Sequence, residues 1–301
     1  MRILITGATG YLGWRHAVVL RERGHEVTPL ARPGHRERAA ARDLEPVEVD
    51  AGSADARDLV RGHDAVLHFA GVPDPAGAAR DPARAVRENA GTTVNLLDGC
   101  AEHDALPVYP SSARAGIEPA PDAYALSKRL GEEACRLHRA PAVVLRLTSV
   151  FGPGQVTREG ATGAIAAFAD RALGGRAISI PGNPRRTRDF LYVDDLVEGV
   201  ERLVASSVAA PTTAPLLYAG SGVATPLVDA ARLTLAAAGS DVEVETPGGQ
   251  LPPGEDESYA LEPGVPRLEL TPRPLPEAVA AYVDWLRLHP EHAAAQGRAR
   301  A

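Results

Sequence analysis

From its first residue the chain alternates short apolar runs with longer stretches in which apolar residues recur every three or four positions. Runs of the first kind suit buried strands, and stretches of the second suit amphipathic helices. The pattern predicts strands at Arg2 to Thr6, Glu26 to Leu30, Pro46 to Val49, Ala65 to Phe69, Pro107 to Tyr109 and Ala142 to Leu147. Between them it predicts helices near Trp14 to Arg23, Ala54 to Arg61, Pro82 to Glu102 and Ala123 to Arg139. Two helix starts carry capping signals, Asp81 ahead of Pro82 and Asp122 ahead of Tyr124. Alternation of this kind builds βαβ units, so the expected fold is α/β with a doubly wound parallel sheet.

After Leu147 the pattern loosens around Gly152, Pro153 and Gly154 and again around Pro181, Gly182, Asn183 and Pro184, with a helix near Ala161 to Leu173 between them. Leu216 to Ala219 then predicts a return to the sheet. The expected organisation is a sheet domain of residues 1–150 plus a returning segment of about 185–222, and a smaller C-terminal α/β substrate lobe of 151–184 and 223–288. Residues 289–301 are rich in alanine and arginine and are expected to fray.

Composition narrows the function classes. The 301 residues are 45% hydrophobic and 24% charged, the balance of a soluble globular protein. The net charge is −7, and no run of basic residues is long enough to track a phosphate backbone, so nucleic acid is not an expected partner. No stretch approaches the roughly 20 apolar residues that span a membrane. Met1 to Ile5 run straight into a glycine turn without the apolar region of a signal peptide, so the expected location is cytoplasmic. Cys100 and Cys135 form no CxxC and read as small helix residues. His289 and His292 form an HxxH with no cysteine or carboxylate to complete a zinc site, so no metal is expected. His68 reads as a packed strand residue.

Gly7, Gly10 and Gly13 lie between the first strand and the first helix, with Tyr11 and Leu12 in the same turn. Glycines there permit a tight turn and the approach of backbone to a pyrophosphate, whose charge meets the helix N-terminus. In that position the turn predicts a dinucleotide site on a Rossmann-type sheet. An acid at the end of the second strand would bind the adenosine ribose, whereas an arginine accommodates the 2′-phosphate of NADP. The chain has Ala31 and Arg32 there, followed by Arg36 and Arg38, which favours NADP(H) and leaves NAD(H) as the alternative. Asp50, at the end of the third strand, is a candidate for the adenine amino group and equally for a loop cap.

The candidate chemistry centres on a compositional oddity. Of 32 lysine and arginine residues only one is lysine, Lys128. Arginine is planar, forked and never neutral, so a position that keeps a compact ammonium in so arginine-rich a chain reads as chemically required. Lys128 follows Tyr124 by four residues, which puts the two on one helix face. A phenol of pKa near 10 is a poor acid-base at neutral pH, and an adjacent positive charge lowers it toward the working range. Leu126, Leu130 and Leu137 occupy another face and are expected to pack the helix.

With Ser111 and Ser112, the Leu67 to Gly71 segment, Asn89 to Leu97, Leu145 to Gly154 and Arg188 to Asp195, the chain resembles the extended short-chain dehydrogenase/reductases, in their NAD-dependent epimerase/dehydratase branch. The resemblance implies that Tyr124 is the acid-base, that Lys128 tunes it and binds the cofactor ribose, and that Ser112 orients the reacting oxygen. It also implies that Ala70, Gly71 and Asn89 support the cofactor, that Arg188 grips the diphosphate of a nucleotide-sugar, and that two copies pair their Asn89 and Tyr124 helices as a homodimer. Ser149 stands where many relatives carry a substrate-binding asparagine, and Pro252 where a second diphosphate arginine is common. The stretch from Ser112 to Tyr124 is short, so the site is expected to be less covered. The acid pair of 4,6-dehydration does not follow Ser112, which disfavours that reaction.

Four functions are compatible with these residues. The Arg32 signal favours an NADPH-dependent reductase of a nucleotide-linked keto-sugar, in which nicotinamide delivers hydride and Tyr124 the proton. The main alternative is an NAD-dependent nucleotide-sugar epimerase that transiently oxidises a sugar hydroxyl. Reduction of a non-nucleotide carbonyl is a third. A dinucleotide-binding regulator is a fourth, and such a protein has no need of the serine, tyrosine and lysine set.

Overall fold

The computed structural model describes residues 1–35, 44–155, 163–209, 215–251 and 264–290. Arg36, Arg38, Pro252 and His292, with the tail beyond residue 290, lie outside the described residues. Contacts divide the chain into two compact units, the first of Met1–Leu147, Val197–Ala219 and Glu262–Glu269, the second of Thr148–Leu196, Gly220–Leu261 and Leu270–Ala301. The sequence pattern put the chain's return near residue 185, whereas the first unit resumes at Val197.

The first unit is built on a seven-stranded sheet. Its strands are β1 (Arg2–Thr6), β2 (Glu26–Ala31), β3 (Val47–Glu48), β4 (Ala65–His68), β5 (Leu106–Ser112), β6 (Val143–Leu147) and, after three strands of the second unit, a returning strand Leu216–Ala219. That returning strand flanks β6, and the order onward is β5, β4, β1, β2, β3, with every pairing parallel. The strand order reverses direction between β1 and β4, the crevice in which doubly wound sheets bind ligands at their carboxyl ends. Ile3, Leu4, Ile5, Val66, Leu67, Val143 and Val144 are buried, as near-continuous apolar strands covered on both faces require.

Three local departures from the sequence pattern bear on the site. The first is β5, which runs through Ser111 and Ser112 rather than stopping at Tyr109, so both serines end a strand. The second is the single helix expected from Pro82 to Glu102, which instead comprises Pro82–Val86 and Thr92–His103 joined by a π turn at Arg87–Gly91. Thr92 Oγ1 donates to Glu88 O and Thr93 Oγ1 to Asn89 O at 2.7 Å, back-bonds that a threonine pair offers in place of regular helix hydrogen bonds. The turn holds Asn89 buried. The third is a further short helix, Pro75–Arg80, capped by Asp74 with the same acid-proline signal that starts the next one.

The second unit contains β7 (Ser149–Phe151), β8 (Ile178–Pro181), β9 (Thr187–Tyr192), β11 (Ala224–Pro226) and β12 (Val244–Gly248), with β10 being the returning strand of the first unit. Strand β9 pairs parallel with β7 and antiparallel with β11, and β12 pairs parallel with β8. Helices Ala164–Leu173, Leu227–Ala238 and Leu275–Leu288 pack on Phe151, Ile178, Ile180, Phe190 and Tyr192. Phe151 meets Phe190, Tyr192 and Tyr282 edge-on, with centroids 5.8 to 6.3 Å apart. Among the described residues no helix is long and apolar enough to cross a membrane, and no group of three metal-ligating side chains occurs.

Candidate active site

The turn after β1 is shaped for close backbone approach. Gly7 has φ +67, and a Cβ on it would lie 2.6 Å from Phe69 C and Ala70 N at the end of β4. A Cβ on Gly13 would lie 2.4 Å from Gly7 O, so the first turn of the helix Tyr11–Glu22 sits directly against the loop. Gly10 precedes that helix in an extended conformation and supplies no side-chain cap, leaving the helix N-terminus to an anion. Leu12 O accepts from His16 Nδ1 at 2.8 Å inside the same turn. Room, donors and dipole together fit a dinucleotide pyrophosphate.

The end of β4 is held in register with this turn by a buried hydrogen-bond chain. Ala70 N donates to Thr6 Oγ1 at 3.1 Å, and His68 bridges Thr6 Oγ1 at 2.8 Å and Thr92 Oγ1 at 3.2 Å. Thr92 Oγ1 gives its proton to Glu88 O, so His68 Nε2 must donate to it and His68 Nδ1 accepts from Thr6. Burial and the nearby Lys128 charge push the imidazole down to about 3, keeping it neutral. His68 is thus a packed bridge between two strands and the π turn.

Asn89 acts beside it. Its Oδ1 accepts from Val72 N at 2.8 Å, and its Nδ2 donates to Val72 O at 3.1 Å and to Ser127 Oγ at 2.9 Å. Ser127 Oγ in turn donates to Tyr124 O. Both amide hydrogens of Asn89 are therefore used within the chain. Gly71, with φ +146, is required at this point because a Cβ there would lie 2.2 Å from Asn89 Oδ1.

Helix Ala123–Leu137 carries the remaining groups. Asp122 caps it through Ala125 N at 2.8 Å. Tyr124 packs partly buried against Val72, Ala78 and Ala85. One turn on, Lys128 is 9% exposed and its Nζ donates to Pro110 O at 2.9 Å, two residues before Ser112, with the Tyr109 ring 5.1 Å away. Burial pushes the lysine down to about 8 against the opposing charge of Glu132. Ser112 Oγ accepts from Arg114 N at 3.2 Å. This group can stabilise an ammonium and a phenolate on one helix face while β5 presents a hydroxyl from its end.

Arg32 and Asp50 face each other. Arg32 lies 3.1 Å from Glu88 and 4.0 Å from Asp50, and Arg84 also grips Glu88 at 2.8 Å. Burial acts to raise the Glu88 carboxyl, and the hydrogen bonds and charges of Arg84 and Arg32 outweigh it, so the group stays ionised below its ordinary value. Asp50 Oδ1 accepts from Gly52 N at 2.8 Å, which makes it a loop cap as well.

In the second unit Ser149 and Arg188 stand on neighbouring strands, Ser149 in register with Phe190. Arg188 is buried and donates to Thr187 O at 2.8 Å. The adjacent Asp189 accepts from Ser221 N, Ser221 Oγ and Gly222 N at 2.7 to 2.9 Å.

Sequence inspection missed Arg114 and Arg129. Arg114 pairs with Asp122, and Arg129 donates to Ala115 O, Ile117 O and Glu118, so both pin the short stretch after Ser112 to the Tyr124 helix. The shortness of that stretch was the available signal. The leucines are a correction: among the described residues Leu126, Leu130 and Leu137 are exposed at 44%, 40% and 72%, whereas the buried face of the helix carries Ala125, Ser127, Gly131 and Cys135.

The strand order, the glycine turn and the open helix N-terminus define a Rossmann-type dinucleotide-binding protein. The family model of the NAD dependent epimerase/dehydratase family matches residues 3–213, and the chain belongs to that family of oxidoreductase-type enzymes. It is 28% identical over 235 residues to a UDP-glucose 4-epimerase of Mycolicibacterium smegmatis, covering 67% of this chain and 72% of the relative. A dTDP-glucose 4,6-dehydratase of Streptomyces niveus is 25% identical across 95% of this chain and 93% of its own. Among solved structures, a UDP-glucose 4-epimerase of Thermus thermophilus in complex with NAD superposes with TM-score 0.77 at 24% identity, covering 95% of this chain and 99% of the other.

Proposed function

We propose that this protein is an NAD-dependent nucleotide-sugar epimerase in which Tyr124 is the acid-base. The observation that carries the reading is the buried Lys128 ammonium, bonded to Pro110 O beside Ser112 and one helical turn from Tyr124. When bound, NAD supplies a reversible two-electron acceptor for a sugar carbon. Tyr124 takes the proton of the sugar hydroxyl and later returns it, Lys128 lowers the phenol toward neutrality by its positive charge, and Ser112 hydrogen-bonds the reacting oxygen. Gly7, Gly10 and Gly13 with Tyr11 and Leu12 form the pyrophosphate cradle, and Ala70, Gly71 and Asn89 shape the adjoining wall. Arg188 and Ser149 are the proposed substrate contacts.

The epimerase reading replaces the reductase favoured by Arg32. Arg32 already faces Glu88 and Asp50, and a 2′-phosphate brought there would meet two carboxylates. A ribose hydroxyl can donate to the same carboxylates, which supports NAD over NADP. Ala113 and Arg114 follow Ser112 in place of an acid pair, which speaks against 4,6-dehydration. The exposed leucines of the Tyr124 helix support a homodimer.

The test is the dinucleotide released on denaturing the purified protein, together with turnover of UDP- and dTDP-hexoses without added cofactor. Near-stoichiometric NAD and 4-epimerisation are expected. Strict dependence on added NADPH, with its consumption, would overturn the reading in favour of the reductase.

A further inference from the structure

Glu132 is 5% exposed and lies one turn beyond Lys128 on the helix face that also holds Tyr124. An ionised carboxylate that deep is not held by burial but by partners. Arg146 on β6 clamps it bidentately, Nε to Oε1 at 2.9 Å and Nη2 to Oε2 at 2.8 Å, and Ser111 Oγ donates to Oε1 at 2.5 Å. The clamp therefore joins β5, β6 and the helix next to the lysine.

Among the described residues, the other groups packed around Lys128 offer it no opposite charge. On β4, His68 is neutral for the reasons given above. On β5, burial raises the Tyr109 phenol well above its usual value, so that ring contributes only its face, 5.1 Å from Nζ. On the helix itself, Cys135 is pushed up to about 12 by burial and stays a thiol, and Tyr124 is the partner to be activated. The π turn contributes the neutral Asn89 amide. Pro110 O binds Nζ as a dipole, and Arg146 on β6 is matched to Glu132. Glu132, buried four residues further along the same helix, is the opposite charge on that face.

We propose that Glu132, clamped by Arg146 and Ser111, is a positioning residue that holds the Lys128 side chain as a charged, ordered ammonium. This rests on the proposed role of Lys128 toward Tyr124. Glu132 touches neither substrate nor cofactor in this scheme and acts through the lysine. Its effect is on the upper pH limit of activity: Lys128 sits near 8 with the carboxylate in place, and loses its proton at lower pH without it.

The chain's single lysine makes the experiment direct. In protein grown with lysine labelled at Cε, Lys128 alone gives the side-chain signal, and its titration is followed by carbon NMR in folded, dinucleotide-loaded protein. A midpoint near 8 is expected for the native chain. Glu132→Gln lowers it by about one unit or more, a roughly tenfold or greater loss of proton affinity, and moves the alkaline limb of the pH–rate profile down by the same amount. Glu132→Asp restores part of the shift. Glu133→Gln, an exposed neighbour paired with Arg136, leaves both unchanged.

Because Glu132→Gln removes the bidentate carboxylate from the buried Arg146 and can fail to fold, Glu132→Gln with Arg146→Met, which removes both charges, is measured in parallel. A midpoint that moves by less than a few tenths in every folded variant overturns the assignment. If the midpoint shifts but the pH–rate profile does not follow, Glu132 supports a lysine that has no part in catalysis, and it is the proposed function that fails.

Discussion

Lys128 is where arginine's fork fails. The ammonium is buried between Pro110 O and the Tyr109 ring, a space suited to a compact cation that makes one short bond. A guanidinium would need several coplanar acceptors there and would be displaced from them. Lys128→Arg is expected to reduce turnover by about two orders of magnitude while the protein stays folded, the scale of losing positioned acid-base catalysis. Tyr124→Phe should reduce it at least as far with the dinucleotide still bound, as steady-state rates and retained cofactor on gel filtration would show. Glu88→Gln removes one of the two carboxylates beside Arg32, freeing that guanidinium for a phosphate. Binding of NADP relative to NAD should rise by roughly tenfold, equivalent to about 1.4 kcal/mol, in a calorimetric titration. An unchanged ratio would show that Arg32 does not read the ribose. The placement of the lysine and tyrosine one turn apart on a single helix was legible in the sequence from their spacing. Arg32 was legible as a residue but its pairing with Glu88 was not, because Glu88 lies 56 positions away and only the fold joins them.

At the scale of elements, the strands of the first half were readable from apolar runs because a parallel sheet buried on both faces imposes that composition. The π turn was not, since it rests on back-bonds from Thr92 and Thr93 that leave the helical periodicity of Pro82 to Glu102 largely intact. Its consequence is large. It holds Asn89 against Val72 and Ser127, coupling the loop after β4 to the Tyr124 helix. The packing of that helix on β5 depends on a glycine for a similar reason. A Cβ at Gly131 would lie 2.3 Å from Tyr109 Oη and 2.4 Å from Cζ, and Tyr109 is fully buried with no free direction. Gly131→Ala is expected to destabilise the fold by about 1–3 kcal/mol through overpacking, read as a lower urea midpoint. Activity should fall further than stability does at temperatures where the variant is folded, because the same shift displaces Lys128.

At the scale of the whole molecule, the Tyr124 helix has two apolar or reactive faces, and among the described residues one is buried and the other exposed. At about 100° per residue, Leu126, Leu130 and Leu137 fall within a stripe of about 40°, opposite Tyr124 and Lys128. Single exposed leucines are ordinary on a protein surface, but three aligned on one helix form an apolar strip, interrupted by the exposed Glu133, and Val94 is also exposed, at 43%, on Thr92–His103. A second copy of the chain would cover it with the same strip by two-fold symmetry, which needs no further partner. The sequence marked the leucines but not their direction, since helical spacing locates a face without saying what faces it. Leu126→Glu with Leu130→Glu places two like charges on the strip, so the variant should sediment as a monomer where the native chain is expected to sediment as a dimer at micromolar concentration. The two faces share one helix, so the dimer would also stiffen the element that carries Tyr124 and Lys128. Monomerisation should therefore lower turnover at subunit concentrations far below the native dissociation constant, and dilution of the native protein should do the same. A native chain that is monomeric and fully active across that range would leave the leucine strip without a role in self-association.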